Sequence, residues 1–106
     1  MEFMTDMDDE LCEVNVAGEL TIYQVNEFKK ELERVIERAS VINMNMANVS
    51  EIDTSCFQLL MQAQIACHDN DKQLNFVSIS PAIREVMELF GLENYLNEPE
   101  TSTSSW

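Results

Sequence analysis

Asp53, Thr54 and Ser55 are the residues of this chain whose types and spacing could do chemistry. They lie between an apolar segment at 41–46 that alternates like a strand and a segment at 57–67 with the apolar spacing of a helix. Small polar residues at the start of a helix can cap its free backbone N–H groups, or they can present a hydroxyl for chemistry. The functional interpretation depends on which of these roles Ser55 has.

Asp53 and Ser55 are alternative N-caps of the predicted helix. With Asp53 as the cap, Ile52 and Phe57 occupy the positions of a hydrophobic staple. The Ser55 hydroxyl is then uncommitted in the first helical turn. With Ser55 as the cap, Gln58 completes a capping box and the hydroxyl is occupied. We favour Asp53, because the staple anchors the chain on both sides of this residue.

Other catalytic constellations are weak. The single histidine, His68, follows Cys67 directly, and adjacent residues of a helix point in different directions, so a Cys–His nucleophile pair is not expected. The acidic loop after His68 offers one imidazole, which rarely provides a full metal-ligand set. Only Gly18 and Gly91 are glycines, so the chain has no glycine-rich phosphate loop. We therefore expect a protein that is not an enzyme and holds no metal or cofactor.

Length and charge restrict the partners. The chain has 106 residues, 45% of them hydrophobic, which suits one globular domain with one core. Twenty acidic residues against six basic ones give a net charge of −14 at pH 7. This charge argues against a nucleic-acid surface, where Lys and Arg must neutralise phosphates, and it disfavours anionic membranes. We expect partners that are basic proteins or proteins with a basic groove.

The cysteines and the N-terminus indicate a cytoplasmic protein. The first residues lack the basic and apolar regions of a secretory signal, and no apolar stretch approaches the length of a membrane span. Cys12, Cys56 and Cys67 are an odd number without zinc-type spacing, which favours free thiols in a reducing compartment. Cys56 lies on the apolar face of its predicted helix, so we interpret it as a packed thiol rather than a reactive one.

Apolar periodicity predicts an alternation of strands and helices. Strands are predicted near 3–5 and at 11–16, 41–46 and 74–79, with a turn at the acidic residues 6–10 and with residues 17–19 ending the second strand. The first helix is predicted to begin at a capping box of Thr21 and Gln24 and to bury Ile22. The third helix is predicted to begin with Ser80 as its cap and to bury Phe90.

This order predicts an α/β domain with a mixed, mostly parallel β-sheet of about four strands flanked by helices, because each helix provides a crossover between parallel strands. The short first strand should add an antiparallel edge. The domain is predicted at residues 1–96. Residues 97–106 are polar and without periodicity, which is typical of a flexible tail.

Four segments together resemble a known family. They are residues 16–21 after the first long strand, 52–55 before the second helix, 80–85 at the start of the third helix and 90–96 after it. In this order and spacing they resemble the STAS domain, the family of bacterial anti-sigma factor antagonists, over roughly residues 3–96. Cys56 stands where the family usually has glycine, and the family's last strand and helix are shortened here.

The resemblance implies a switch at Ser55. In regulatory members, the serine or threonine at this position is phosphorylated by a serine kinase of the histidine-kinase-like ATPase type, which is also the anti-sigma factor. The unphosphorylated form binds that kinase, and a serine phosphatase resets the switch. The implied phosphorylation site is Ser55, and the implied partner-binding residues are Gly18, Glu19, Thr21, Asp53, Thr54, Ser55 and Cys56. The protein is expected to be a monomer or a weak homodimer.

Two other functions remain open at this point. Some STAS domains are unphosphorylated subunits of lipid or solute transporters, or scaffolds in signalling and chemotaxis complexes. A small-molecule sensor is a third possibility, although the sequence does not supply the convergent polar groups that a ligand pocket needs.

Overall fold

Four strands and three helices are formed by residues 1–92, the part of the chain that the computed structural model describes. The end of the predicted domain, residues 93–96, and the predicted tail, 97–106, lie outside the described residues. In chain order the elements are β1 (Glu2–Asp8), β2 (Leu11–Leu20), α1 (Val25–Arg38), β3 (Val41–Ile52), α2 (Thr54–Asp69), β4 (Gln73–Ile79) and α3 (Pro81–Leu89).

The strands form one sheet in the order β1-β2-β3-β4. β1 pairs antiparallel with β2, whereas β2 with β3 and β3 with β4 pair in parallel. Each parallel connection passes through a helix, α1 or α2, as a crossover requires. The predicted α/β class, the mixed sheet and its antiparallel edge are therefore confirmed.

The core lies between one face of the sheet and the three helices. Alternate residues of the inner strands are fully buried, as the sequence pattern predicts. The largest buried side chains include Phe76 of β4, Phe28 of α1, and Phe57 and Leu60 of α2. All three cysteines are free, as expected, and all three are buried. Burial of this apolar surface is the main favourable term in folding.

Both N-terminal strands are longer than predicted. β1 continues through Asp6 and Asp8, and the turn is confined to Asp9 and Glu10, where Asp9 has φ +60°. The predicted break after Val16 is wrong, because β2 continues to Leu20 along the longer strand β3. The ladder shifts register near Gly18, whose φ of +89° strongly favours glycine.

α1 begins later than predicted. The Thr21–Gln24 contact exists, since Gln24 Oε1 accepts from Thr21 N at 2.9 Å and from Thr21 Oγ1 at 2.7 Å. It closes a turn that precedes the helix, which begins at Val25. The prediction that Ile22 packs in the core is consequently wrong: Ile22 lies in this turn and is 63% exposed.

The caps of α2 and α3 are confirmed. Asp53 caps α2, and Ser80 caps α3 with Pro81 as the first helical residue. Phe90 was predicted to be buried, but it is 54% exposed. It is the C-cap of α3, followed by Gly91 at φ +67°, so the last turn of the helix directs it away from the sheet.

Candidate functional site

A single carboxylate, that of Asp53, joins two loops at one edge of the sheet. Its Oδ1 accepts hydrogen bonds from Ser55 Oγ at 2.7 Å and from Cys56 N at 3.3 Å. Its Oδ2 accepts from Ile22 N at 2.7 Å, across 31 positions of the sequence. Asp53 therefore caps α2 and at the same time holds the loop between β2 and α1.

Strand register explains why these loops meet. β2 and β3 are parallel and end side by side, with Leu20 opposite Ile52. Asp53 N then donates to Leu20 O at 3.0 Å, which extends the ladder by one bond. The carboxyl ends of adjacent parallel strands are where α/β sheets assemble functional sites.

The Ser55 hydroxyl is half-buried in the first turn of α2. The prediction that it is uncommitted when Asp53 caps is wrong, because the hydroxyl donates to Asp53 Oδ1. Donation fixes the direction of the O–H bond. A hydroxyl oxygen still has two lone pairs when its hydrogen is donated, so Ser55 Oγ retains the electrons with which it could form a bond to phosphorus.

Hydrogen bonds keep Asp53 ionised. Burial raises its pKa, but the bonds from the Ser55 hydroxyl and from the backbone N–H groups of Cys56 and Ile22 outweigh burial and hold the pKa below its ordinary value. The carboxylate thus carries its negative charge next to Ser55 at any pH near neutrality.

Cys56 points away from the surface at Ser55. Its side chain is fully buried, and its Sγ donates to Thr21 O at 3.4 Å. Burial raises the pKa of this thiol to about 11, with a further contribution from the negative charge of Asp53. The thiol is therefore neutral and packed, and its side chain adds no bulk to the exposed face of the site.

The other predicted partner-binding residues surround this centre. Thr54, the first residue of α2, and Glu19, near the end of β2, are exposed, and Gly18 and Thr21 are half-buried. Hydrogen bonds connect Thr21, Asp53, Ser55 and Cys56 into one cluster. Glu19 and Gly18 flank the cluster without joining its hydrogen bonds.

Sequence reasoning missed Ile22 and Tyr23 as surface residues. They are 63% and 91% exposed and follow Thr21 in the loop that Asp53 holds. A signal was available, because both lie inside the capping box of Thr21 and Gln24. Residues within such a box belong to the first turn, where a side chain need not face the core.

Two further findings concern the described part of the chain. Among residues 1–92, no helix combines the length and the apolar character needed to cross a membrane. In the same range, no cluster of three or more His, Cys, Asp or Glu side chains could hold a metal ion.

Comparison with known proteins identifies the family. The sequence model described as "Mlab, STAS domain" matches residues 3–98. The chain belongs to the STAS-domain family. This STAS domain is 31% identical over 97 residues to an anti-sigma-B factor antagonist of Staphylococcus aureus, covering 91% of this chain and 90% of the relative. It is 30% identical over 93 residues to the anti-sigma-B factor antagonist of Staphylococcus epidermidis, covering 87% and 86%.

Solved structures share the fold. The anti-sigma factor antagonist SpoIIAA in its unphosphorylated form matches this STAS domain with a TM-score of 0.74 at 20% identity, over 92% of this chain and 87% of that chain. The Bacillus cell fate determinant SpoIIAA in its phosphorylated form gives a TM-score of 0.71 at 20% identity, over 92% and 90%. These likenesses establish the architecture, with helices and sheet arranged as in the STAS fold.

Proposed function

We propose that this protein is an anti-sigma factor antagonist controlled by phosphorylation of Ser55. Its partner is a serine kinase of the histidine-kinase-like ATPase type that also acts as the anti-sigma factor, and a serine phosphatase reverses the modification. The similarity to two staphylococcal anti-sigma-B factor antagonists supports this function. The assignment of the phosphorylation site rests on one observation: the Ser55 hydroxyl lies half-buried in the first turn of α2 and is hydrogen-bonded to the carboxylate of Asp53.

The position of Ser55 allows a phosphate without unfolding. A phosphoserine carries about −1.5 to −2 charges at pH 7. In the first turn of a helix, free N–H groups and the helix dipole favour negative charge, so the fold should tolerate it. Leu60, Ala63 and Cys67 of the buried face of α2 lie beyond this turn, so their packing should not be disturbed.

The same phosphate opposes a packed interface. The region around Ser55 is already acidic, because Asp53 is bonded to it and exposed Glu19 and Glu51 are paired at the ends of β2 and β3. A partner that binds this surface should present basic groups. A bulky dianion at Ser55 would add repulsion from Asp53 and would fill the space that the partner occupies. Phosphorylation is therefore expected to release the partner while the domain stays folded.

The test uses the purified protein and the kinase of this type from the same organism, with ATP. Mass spectrometry should locate one phosphate at Ser55, and Ser55→Ala should abolish it while still binding the kinase. Ser55→Asp should fold normally yet bind the kinase at least about 30-fold more weakly, because it places an unpaired charge in the interface.

Thr54→Asp is the matched control for Ser55→Asp. Thr54 is the exposed neighbour at the start of α2, and its replacement adds the same charge one position away. We expect this variant to weaken binding less than Ser55→Asp does. Equal phosphate incorporation into wild type and Ser55→Ala would refute the site. If the kinase neither binds nor phosphorylates the protein, a transporter or scaffold role replaces the switch.

A further inference from the structure

Ile22 and Tyr23 form an exposed apolar pair beside the phosphorylation site. They are 63% and 91% exposed, and they occupy the loop between β2 and α1. Single exposed apolar residues are ordinary on protein surfaces. These two are adjacent, one of them is an aromatic residue of the kind that dominates interfaces, and the loop is tied directly to Asp53.

The bonds that hold this loop lead to Ser55. Ile22 N donates to Asp53 Oδ2 at 2.7 Å, and Ser55 Oγ donates to the other oxygen of that carboxylate at 2.7 Å. Cys56 Sγ donates to Thr21 O at 3.4 Å, which is a second hydrogen bond between the start of α2 and the same loop. The placement of the apolar pair therefore depends on the carboxylate of Asp53, which is bonded to Ser55, and on the thiol of Cys56, the next residue.

Phosphorylation changes this hydrogen-bond set. When Ser55 Oγ attacks the γ-phosphorus of ATP, the O–P bond forms, ADP leaves and the hydroxyl proton passes to the kinase or to solvent. Ser55 Oγ then has no hydrogen to donate to Asp53 Oδ1. The phosphate also competes for the N–H of Cys56 and repels the carboxylate. Of this set, only the backbone N–H of Ile22 is left to hold Asp53, and the repulsion weakens that bond as well.

Resting on the proposed function, we propose that Ile22 and Tyr23 are the apolar contact by which the kinase recognises this domain, and that Asp53 couples their loop to the phosphorylation state of Ser55. The kinase must approach Ser55 to phosphorylate it, and the pair is continuous with that surface. Exposed Glu19 and Glu51 are paired at the ends of β2 and β3, the strands that lead into the loops of Ile22 and Asp53. The partner surface that fits is an apolar depression with a basic rim.

The binding part is tested by calorimetry with the purified kinase. Tyr23→Ala should weaken binding at least about 30-fold, as truncation of an interface hot spot does, and Ile22→Ala should weaken it about 10-fold. Ile65→Ala is the control, because Ile65 is 54% exposed on α2. It should bind within about twofold of wild type. Tyr23→Ala binding as tightly as wild type would overturn this part.

The coupling part is tested without the kinase, by amide hydrogen exchange and NMR of the Ile22 N–H group. Ser55→Asp should shift this resonance and accelerate its exchange at least about tenfold, since the carboxylate that protects it is displaced. Thr54→Asp should leave both nearly unchanged. An Ile22 amide that behaves identically in wild type and Ser55→Asp would overturn the coupling, whatever the kinase does.

The two experiments distinguish failure of the proposed function from failure of the recognition surface or of the coupling. If the kinase phosphorylates Ser55 but Tyr23→Ala binds normally, the proposed function stands and the recognition surface is wrong. If the kinase does not bind at all, the proposed function and the recognition surface both fail. The response of the Ile22 amide to Ser55→Asp still decides whether Asp53 couples the two segments.

Discussion

The starts of α2 and α3 have the same local arrangement, but their capping residues make different sets of hydrogen bonds. In each, a parallel strand ends, one polar residue caps, and a helix begins. Ser80 is 2% exposed, and its Oγ accepts from Ile83 N at 3.3 Å within its own helix. At α2 the cap is a carboxylate, and the serine lies two residues later with its hydroxyl half-buried.

The difference comes from acceptor capacity. A serine cap has one oxygen, and capping uses it. A carboxylate has two oxygens and about four acceptor sites, so Asp53 caps α2 with Oδ1 and still binds Ile22 N with Oδ2. It also accepts from Ser55. The cap of α3 is a structural device alone, whereas the cap of α2 serves structure and connects a modifiable hydroxyl to a second loop.

Two leucines, one on the buried face of α2 and one on the exposed face of α3, test the assigned helix faces. Leu60 of α2 is fully buried, and Leu60→Ala should lower the free energy of unfolding by about 2–5 kcal/mol, because it leaves a cavity in the core. Leu89 of α3 is 80% exposed, and Leu89→Ala should change it by less than about 0.5 kcal/mol. Urea denaturation measures both, and equal effects would contradict the assigned helix faces.

A smaller effect is expected at the carboxylate cap. Asp53→Asn keeps the shape and removes the charge, so it should lower the free energy of unfolding by about 2 kcal/mol at pH 7, the scale of hydrogen bonds to charged groups. The pKa of Asp53 is held below its ordinary value by its hydrogen-bond donors, which outweigh burial. Its stabilisation is therefore fully present above the unfolded pKa and is lost as the pH falls through the folded pKa.

The difference in the free energy of unfolding between wild type and Asp53→Asn should consequently become smaller below about pH 4. Urea unfolding at pH 7 and at several values between pH 5 and pH 3 measures it. The control is Asp69→Asn, at the exposed end of α2, which should change the free energy of unfolding by less than about 0.5 kcal/mol at pH 7. A difference at Asp53 that stays constant down to pH 3 would show that its charge does not stabilise the fold.

The features that sequence predicted are local ones. Asp53 and Ser80 were identifiable as caps because a cap bonds within three residues of itself. The burial of Ile42, Met44 and Met46 follows from strand alternation alone. The α/β order followed from the same short-range patterns, and the STAS resemblance rests on short motifs.

The features that sequence did not predict depend on distant partners. The bond from Ile22 N to Asp53 spans 31 positions, and only the shared end of β2 and β3 brings the two together. β2 continues past Gly18 because β3 supplies a partner there, and no pattern within residues 17–19 reveals it. Phe90 continues the apolar spacing of α3, but the helix ends at Leu89. Phe90 is therefore exposed, although the spacing alone predicts that it is buried.

The smallest predicted effect tests the comparison of the two serines most directly. Ser80→Ala removes a buried cap and should lower the free energy of unfolding by about 1 kcal/mol. Ser55→Ala removes one donor to Asp53, but Cys56 N and Ile22 N still satisfy the carboxylate, and alanine is a better helix former than serine. We expect a change below about 0.5 kcal/mol for Ser55→Ala, because these terms nearly cancel. Paired urea denaturation at pH 7 measures both variants. A loss at Ser55 as large as that at Ser80 would mean that the Ser55 hydroxyl is retained for stability, and the case for a modifiable serine would lose its physical basis.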